Sequence, residues 1–343
     1  MIELLFLIVL CSTQMVYSGG KAMGTFQERK AILNTYGVNL PIAISTPQKR
    51  KPLALILLIP GSFFNDVDGN YPEILKMSPH MYSDLARQLS VRGYTVLRYA
   101  KHGPGTGSTV TDQVLAVTHT TFKGREWVAK AALQRLSMEG AAGTPIIVAG
   151  HSEGGLVASQ LAVHCASQVS GVIQLSAPAL RFFDLALRQA ELRESTAGPM
   201  TRDIKKDLDQ FANAIQNIRN SEALPDHYFE NPHLLGYRFL PKEAWDYLRE
   251  MDGVDPVKLI QKVSKPILIG QGTLDESVNE ENAGSLYSAS PKGIAEVVYF
   301  ERLQHFYKKV GLSLSPIQAF TLETETENIV ADEIGRWISK VIK

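Results

Sequence analysis

Cysteine is almost missing from this chain: of 343 residues only Cys11 and Cys165 carry a thiol. That excludes a disulfide-stapled scaffold and a multi-cysteine zinc site. Charge of one sign is missing too, since 35 basic residues meet 35 acidic ones. No net field therefore draws the molecule to nucleic acid or to an anionic membrane surface, and a small neutral substrate suits it best. Nor is there an apolar run of membrane-spanning length. The uninterrupted run near the start, Leu4 to Cys11, falls well short of the roughly 20 residues a bilayer helix needs.

That run, followed by Val16-Tyr17-Ser18 before Gly19, reads instead as a signal peptide over residues 1–18, implying a secreted or periplasmic protein. Glu3 stands where a basic start is usual. An uncleaved leader would leave the chain cytoplasmic or membrane-associated through this segment. A lipid anchor on Cys11 is disfavoured by the bulky Leu10 before it. Cys165 falls in the run Leu161 to Ala166, which reads as buried helix, so it is expected to be an inert core thiol.

What is present is ordinary globular material, with 45% apolar and 20% charged residues and none of the aliphatic depletion that marks disorder. Gln27 to Ile44 suggests two short strands around Tyr36-Gly37. Apolar runs follow at Leu53 to Ile59, Tyr94 to Tyr99, Ile146 to Ala149, Val172 to Leu175, Ile267 to Gly270 and Ala295 to Phe300. Runs this short and this continuous read as strands buried on both faces. Between them, Met81 to Val91, Glu126 to Met138, Leu156 to Val169 and Glu281 to Ser288 space their apolar residues as helices do, and Asp332 to Ile342 closes the chain in the same way. Alternating strand and helix predict an α/β fold, a mainly parallel eight-stranded sheet flanked by helices. Leu180 to Lys265 breaks the alternation. It carries helical, charged segments such as Arg188 to Arg193 and Asp203 to Ile218 and reads as a helical insertion, with Pro225, Pro232 and Pro241 breaking its second half into several short helices. The organisation expected after the leader is core at 19–179, insertion at 180–265 and core again at 266–343.

Gly150-His151-Ser152-Glu153-Gly154 matches G-x-S-x-G, a sharp strand-to-helix turn that exposes a serine hydroxyl at the carboxyl edge of a sheet. The bare pattern arises by chance in roughly one chain in ten of this length. Its place directly after one expected strand and before one expected helix makes it specific. A side chain at either glycine would crowd the neighbouring elements. Ser152 as nucleophile needs a base, and the base needs an acid to fix its tautomer. Of the histidines downstream, His227 and His233 fall in the insertion, while His305 follows the last strand. Asp275 lies five residues beyond the strand before it, ahead of its neighbour Glu276 and of Asp255, which precedes that strand. Backbone N–H donors for an oxyanion are expected from Glu153 and from Ser62 or Phe63, after Pro60-Gly61. Phe63 and Phe64 suit either an acyl-pocket wall or the core.

Three other patterns fail on inspection. Asp66-Val67-Asp68-Gly69-Asn70 has the acidic alternation of a calcium loop, but Tyr71 replaces its turn glycine and Met77 its last glutamate, so it reads as an Asx-rich structural loop. Gly103-Pro104-Gly105-Thr106-Gly107 has Ser108 where a dinucleotide-binding loop needs its third glycine. His102, His119, His151 and His164 make no spaced metal-ligand set, and bland surface or core roles suffice for them.

Taken together, Pro60-Gly61-Ser62, Asn65 to Asn70, Gly150 to Gly155, Pro266 to Asp275 and His305 resemble bacterial carboxylesterases of the α/β-hydrolase superfamily. The likeness is to the EstD-like group and to neighbouring serine-aminopeptidase and lysophospholipase-like hydrolases, and it covers about Gln27 to the C-terminus. Trp245-Asp246-Tyr247-Leu248 with Asp255-Pro256 adds a weaker likeness to that group's return from cap to core. The resemblance implies a serine-histidine-aspartate triad under a helical cap, acyl-bond cleavage and no cofactor. Two departures stand out. Gly61-Ser62-Phe63-Phe64 replaces the group's usual G-S-G-P, and Ala100-Lys101-His102-Gly103-Pro104-Gly105 replaces Asp-x-Arg-Gly-x-Gly, which should alter local salt bridging more than catalysis.

Overall fold

The computed structural model describes residues 25–73, 75–222, 224–311 and 321–342; the leader expected over residues 1–18, with Cys11, lies outside them. Each apolar run forms a strand: β1 (Phe26–Thr35), β2 (Val38–Pro47), β3 (Leu55–Ile59), β4 (Thr95–Tyr99), β5 (Thr109–Val110), β6 (Ile146–His151), β7 (Gly171–Leu175), β8 (Ile267–Gly272) and β9 (Ala295–Phe300). Every residue of β3, β4, β6, β7 and β8 is buried. This is why their sequences are uninterrupted in hydrophobicity rather than alternating.

The eight expected strands run in the order β1-β2-β4-β3-β6-β7-β8-β9, and the two-residue β5 joins off that path against β2. The sheet from β4 to β9 is parallel, while β1, β2 and β5 pair antiparallel. Successive side chains of a strand point to opposite faces, and the core divides accordingly. Leu55, Leu57 and Ile59 join one apolar cluster with Leu133, Leu161 and Ile269. Ile56 and Leu58 join the other, which Trp337 of the C-terminal helix Asn328–Val341 closes.

The helix Met81–Val91 has the expected bounds, while the other expected helices begin earlier than their apolar spacing suggested. The helix after the elbow spans Glu153–His164, beginning immediately after Ser152 and ending before Cys165. Cys165 is accordingly not inside a helix but at its C-terminal cap, still buried. Between β7 and β8 the described residues form helices only, Phe182–Ala197, Arg202–Arg219, Lys242–Asp252 and Pro256–Ile260 among them. Phe183, Ala190, Leu208, Phe211, Ile215, Ile218 and Leu234 give this insertion a small apolar core of its own. Among the described residues no helix is long and apolar enough to cross a membrane.

Candidate active site

Strand β6 delivers the chain to the elbow at its carboxyl end. Ser152 takes φ 54° and ψ −125°, a combination that a residue with a Cβ adopts only under strain. Its N–H donates to Leu175 O at 2.8 Å, fastening the turn to β7. The flanking glycines are required by close approach. A Cβ on Gly150 would stand 2.0 Å from Gly154 O, and one on Gly154 would stand 2.3 Å from Ile59 O. Sheet and helix thus meet backbone to backbone around the serine. Glu153 occupies the first turn of the new helix, where N–H groups have no intrahelical acceptor and the dipole favours negative charge.

Asp275 and His305 come together at the same edge, from the loops after β8 and β9. Asp275 Oδ2 lies 2.8 Å from His305 Nδ1. Its other oxygen accepts the N–H groups of Ser277 and Val278, each at 2.9 Å. Burial pushes this carboxyl up, but the His305 imidazole and those N–H bonds outweigh it and hold it below the usual carboxylate value. The rivals are engaged elsewhere. Asp255 caps the helix Pro256–Ile260 through Lys258 N–H, and His233 stacks on Phe211 inside the insertion.

Sequence reasoning missed the part played by His151. Its ring stands 4.6 Å, centroid to centroid, from that of His305. Its Nε2 lies 3.0 Å from His305 O and its Nδ1 lies 3.1 Å from Tyr82 Oη. A carbonyl only accepts, so Nε2 carries the hydrogen and Nδ1 accepts from the tyrosine. Tyr82 Oη in turn accepts Gly61 N–H at 2.9 Å. One chain of bonds therefore links the segment after β3, the elbow and the His305 loop. Tyr82 falls in the expected helix Met81 to Val91, but nothing in the sequence paired it with His151.

Gly61 lies against the elbow, since a Cβ built on it would stand 3.2 Å from Ser152 Cβ. Ser62 and Phe63 follow. Phe63 has φ 62° and is 53% exposed. The phenyl ring thus stands largely in solvent on a left-handed backbone, a conformation that favours the glycine it replaces. Phe64 packs its ring over Gly103 instead. The Asp66 carboxylate accepts Asp68 N–H, Asn70 N–H and the Asn70 side chain, closing an Asx loop.

A family model described as serine aminopeptidase, S33, matches residues 77–307. Among solved structures the chain is similar to Est1E from Butyrivibrio proteoclasticus, at 17% identity and TM-score 0.56 over 91% of this chain and 98% of that one. It is similar also to the esterase domain of a Rhodothermus marinus protein, at 18% identity and TM-score 0.53 over 92% and 100%. A thioesterase domain from the curacin biosynthetic pathway aligns at 12% identity and TM-score 0.51 over 91% and 99%. Likeness at such identity is likeness of fold. No curated protein matches the chain by sequence.

Proposed function

The chain belongs to the serine aminopeptidase S33 family of α/β hydrolases, and on that premise we propose that it cleaves carboxylic esters through an acyl-enzyme on Ser152. The observation that carries this reading is the 2.8 Å contact between His305 Nδ1 and Asp275 Oδ2, on a loop whose His305 O is bonded by His151, the residue before the strained serine. With Nδ1–H donated to the carboxylate, the other ring nitrogen takes the serine proton and returns it to the leaving alcohol. Attack places negative charge on the former carbonyl oxygen, for which Glu153 N–H and the N–H of Ser62 or Phe63 are the donors. Water then enters by the same route and releases the acid. The inserted helices act as a cap, which Gln189 Nε2 supports by donating to Ser277 O at 2.5 Å, two residues from Asp275.

Ser152→Ala should reduce nitrophenyl acetate turnover by a factor of about 10⁴ or more while leaving the circular-dichroism melt in place. Undiminished turnover in this variant would reject the assignment. The family's description names a peptidase, and this favours amides as a second substrate class. Aminoacyl nitroanilides assayed beside nitrophenyl esters decide between the two, with the esters expected to give the larger kcat/KM.

A further inference from the structure

Glu153 sits between the nucleophile and the last glycine of the elbow, and its side chain is turned away from solvent, 4% exposed. A single oxygen, Oε1, accepts from Lys101 Nζ at 3.2 Å, Arg125 Nε at 3.0 Å and Tyr247 Oη at 2.6 Å. Burial works to raise this carboxyl's pKa, but the two cations and the tyrosine overcome it and hold the group at about 2. The donors arrive from three separate places. Lys101 follows β4, Arg125 belongs to the helix Phe122–Ser137, and Tyr247 lies on the inserted helix Lys242–Asp252.

Neutralising a buried carboxylate does not require this arrangement, since either cation by itself would supply the opposite charge. The second arm of Arg125 shows what more is achieved: its Nη2 donates to Pro60 O at 2.5 Å and lies 3.4 Å from Gly61 O. Gly61 is thus held from both sides, its N–H by Tyr82 and its carbonyl by Arg125. The planar guanidinium fork reaches from the side chain of the residue that supplies one oxyanion donor to the segment whose next N–H groups supply the other. A lysine ammonium is a point charge and has no second arm.

We infer that Arg125 is a positioning residue for the oxyanion hole, fixing the spacing of its two halves, and that Tyr247 registers the inserted helices on the same carboxylate. This rests on Ser152 being the nucleophile and deepens that reading. Misplacement of reacting groups by about 1 Å costs on the order of 10²-fold in rate, as does loss of one oxyanion donor.

Arg125→Lys keeps a positive charge beside Glu153 and removes the fork, and Tyr247→Phe removes one hydroxyl at almost constant volume. For each variant and the parent, kcat and KM on nitrophenyl acetate are measured with the inhibition constant of phenylboronic acid, whose tetrahedral serine adduct places an oxygen in the oxyanion hole. For Arg125→Lys, kcat should fall roughly 10–100-fold and boronate inhibition should weaken in parallel, with KM within about threefold of the parent. Tyr247→Phe should do the same more mildly, by about three- to tenfold, and it decides the matter alone if the lysine variant does not fold. A kcat within about twofold of the parent, or a loss confined to KM with boronate inhibition intact, would overturn the inference. A parent enzyme that neither turns over the ester nor binds the boronate would sink the nucleophile assignment itself. Active parent and unaffected variants would remove only the role given to Arg125.

Discussion

His151 is a fully buried imidazole joined to two loops. Burial, with some help from the neighbouring His305, pushes its pKa down from 6.5 to about 3. In the unfolded chain the same ring titrates near 6.5. As pH falls below that value the unfolded state takes up a proton that the native state refuses, so the stability contributed by neutral His151 is complete above about 6.5 and drains away towards pH 3. Wild-type unfolding free energy should therefore fall by about 2 kcal/mol more than that of His151→Gln between pH 7 and pH 5, read from urea denaturation at each pH. Parallel curves for the two proteins would show that the ring takes up its proton in the native state. Ser152, Asp275 and His305 could be proposed from sequence because each is a residue type the chemistry allows, at a place the strand pattern marks. His151 and Tyr82 could not be, because a histidine bonded to two distant loops has no local signature; the tie is visible only once Tyr82 Oη is 3.1 Å from its ring.

At the scale of elements, the elbow is a close contact between β3, β6 and the helix Glu153–His164, and Gly154 is its tightest point against β3. A methyl at this position would meet Ile59 O at 2.3 Å and Pro60 O at 2.7 Å, and backbone cannot give way as a side-chain tip can. Gly154→Ala should cost about 1–3 kcal/mol of stability and, by pushing the segment after β3 off the serine, at least about tenfold in kcat. Gly198→Ala, where an added Cβ meets nothing within 4 Å, is the control and should change stability by less than about 0.5 kcal/mol. Equal behaviour of the two variants in denaturation and in turnover would refute the packing argument. The central strands were readable from sequence because burial on both faces leaves no polar residue to interrupt them. The start of the helix at Glu153 was not, because its first turn is Glu-Gly-Gly, dictated by contact with β3 and β7 rather than by helical propensity. The Glu153 cluster draws on Lys101, Arg125 and Tyr247, three charged or polar residues far apart in sequence that no local pattern groups, and only the fold brings them to one carboxylate.

Across the whole molecule, the inserted helices are fastened to one another through Asp252, at the end of Lys242–Asp252. This buried carboxylate receives Arg219 Nε at 2.8 Å and Nη2 at 3.0 Å, and also Phe183 N–H at 3.0 Å. Removing it leaves Arg219 with Asp184 as its carboxylate partner and takes the acceptor from Phe183 N–H, and losing hydrogen bonds to a charged group in this way costs about 1–3 kcal/mol. Because the insertion has its own small core, the loss should be local. In Asp252→Ala, amide hydrogen exchange should accelerate in Phe182–Ala197 and Arg202–Arg219 while β6 and β7 keep their protection. Uniform acceleration would mean that insertion and core open as one unit.

All of this organisation converges on one hydroxyl, and the most direct test is to ask which residue reacts. A fluorophosphonate probe followed by peptide mass mapping should place a single adduct on Ser152, forming at least about 100-fold more slowly in His305→Ala. An adduct on any other residue, or one that forms as fast without the imidazole, would contradict the account.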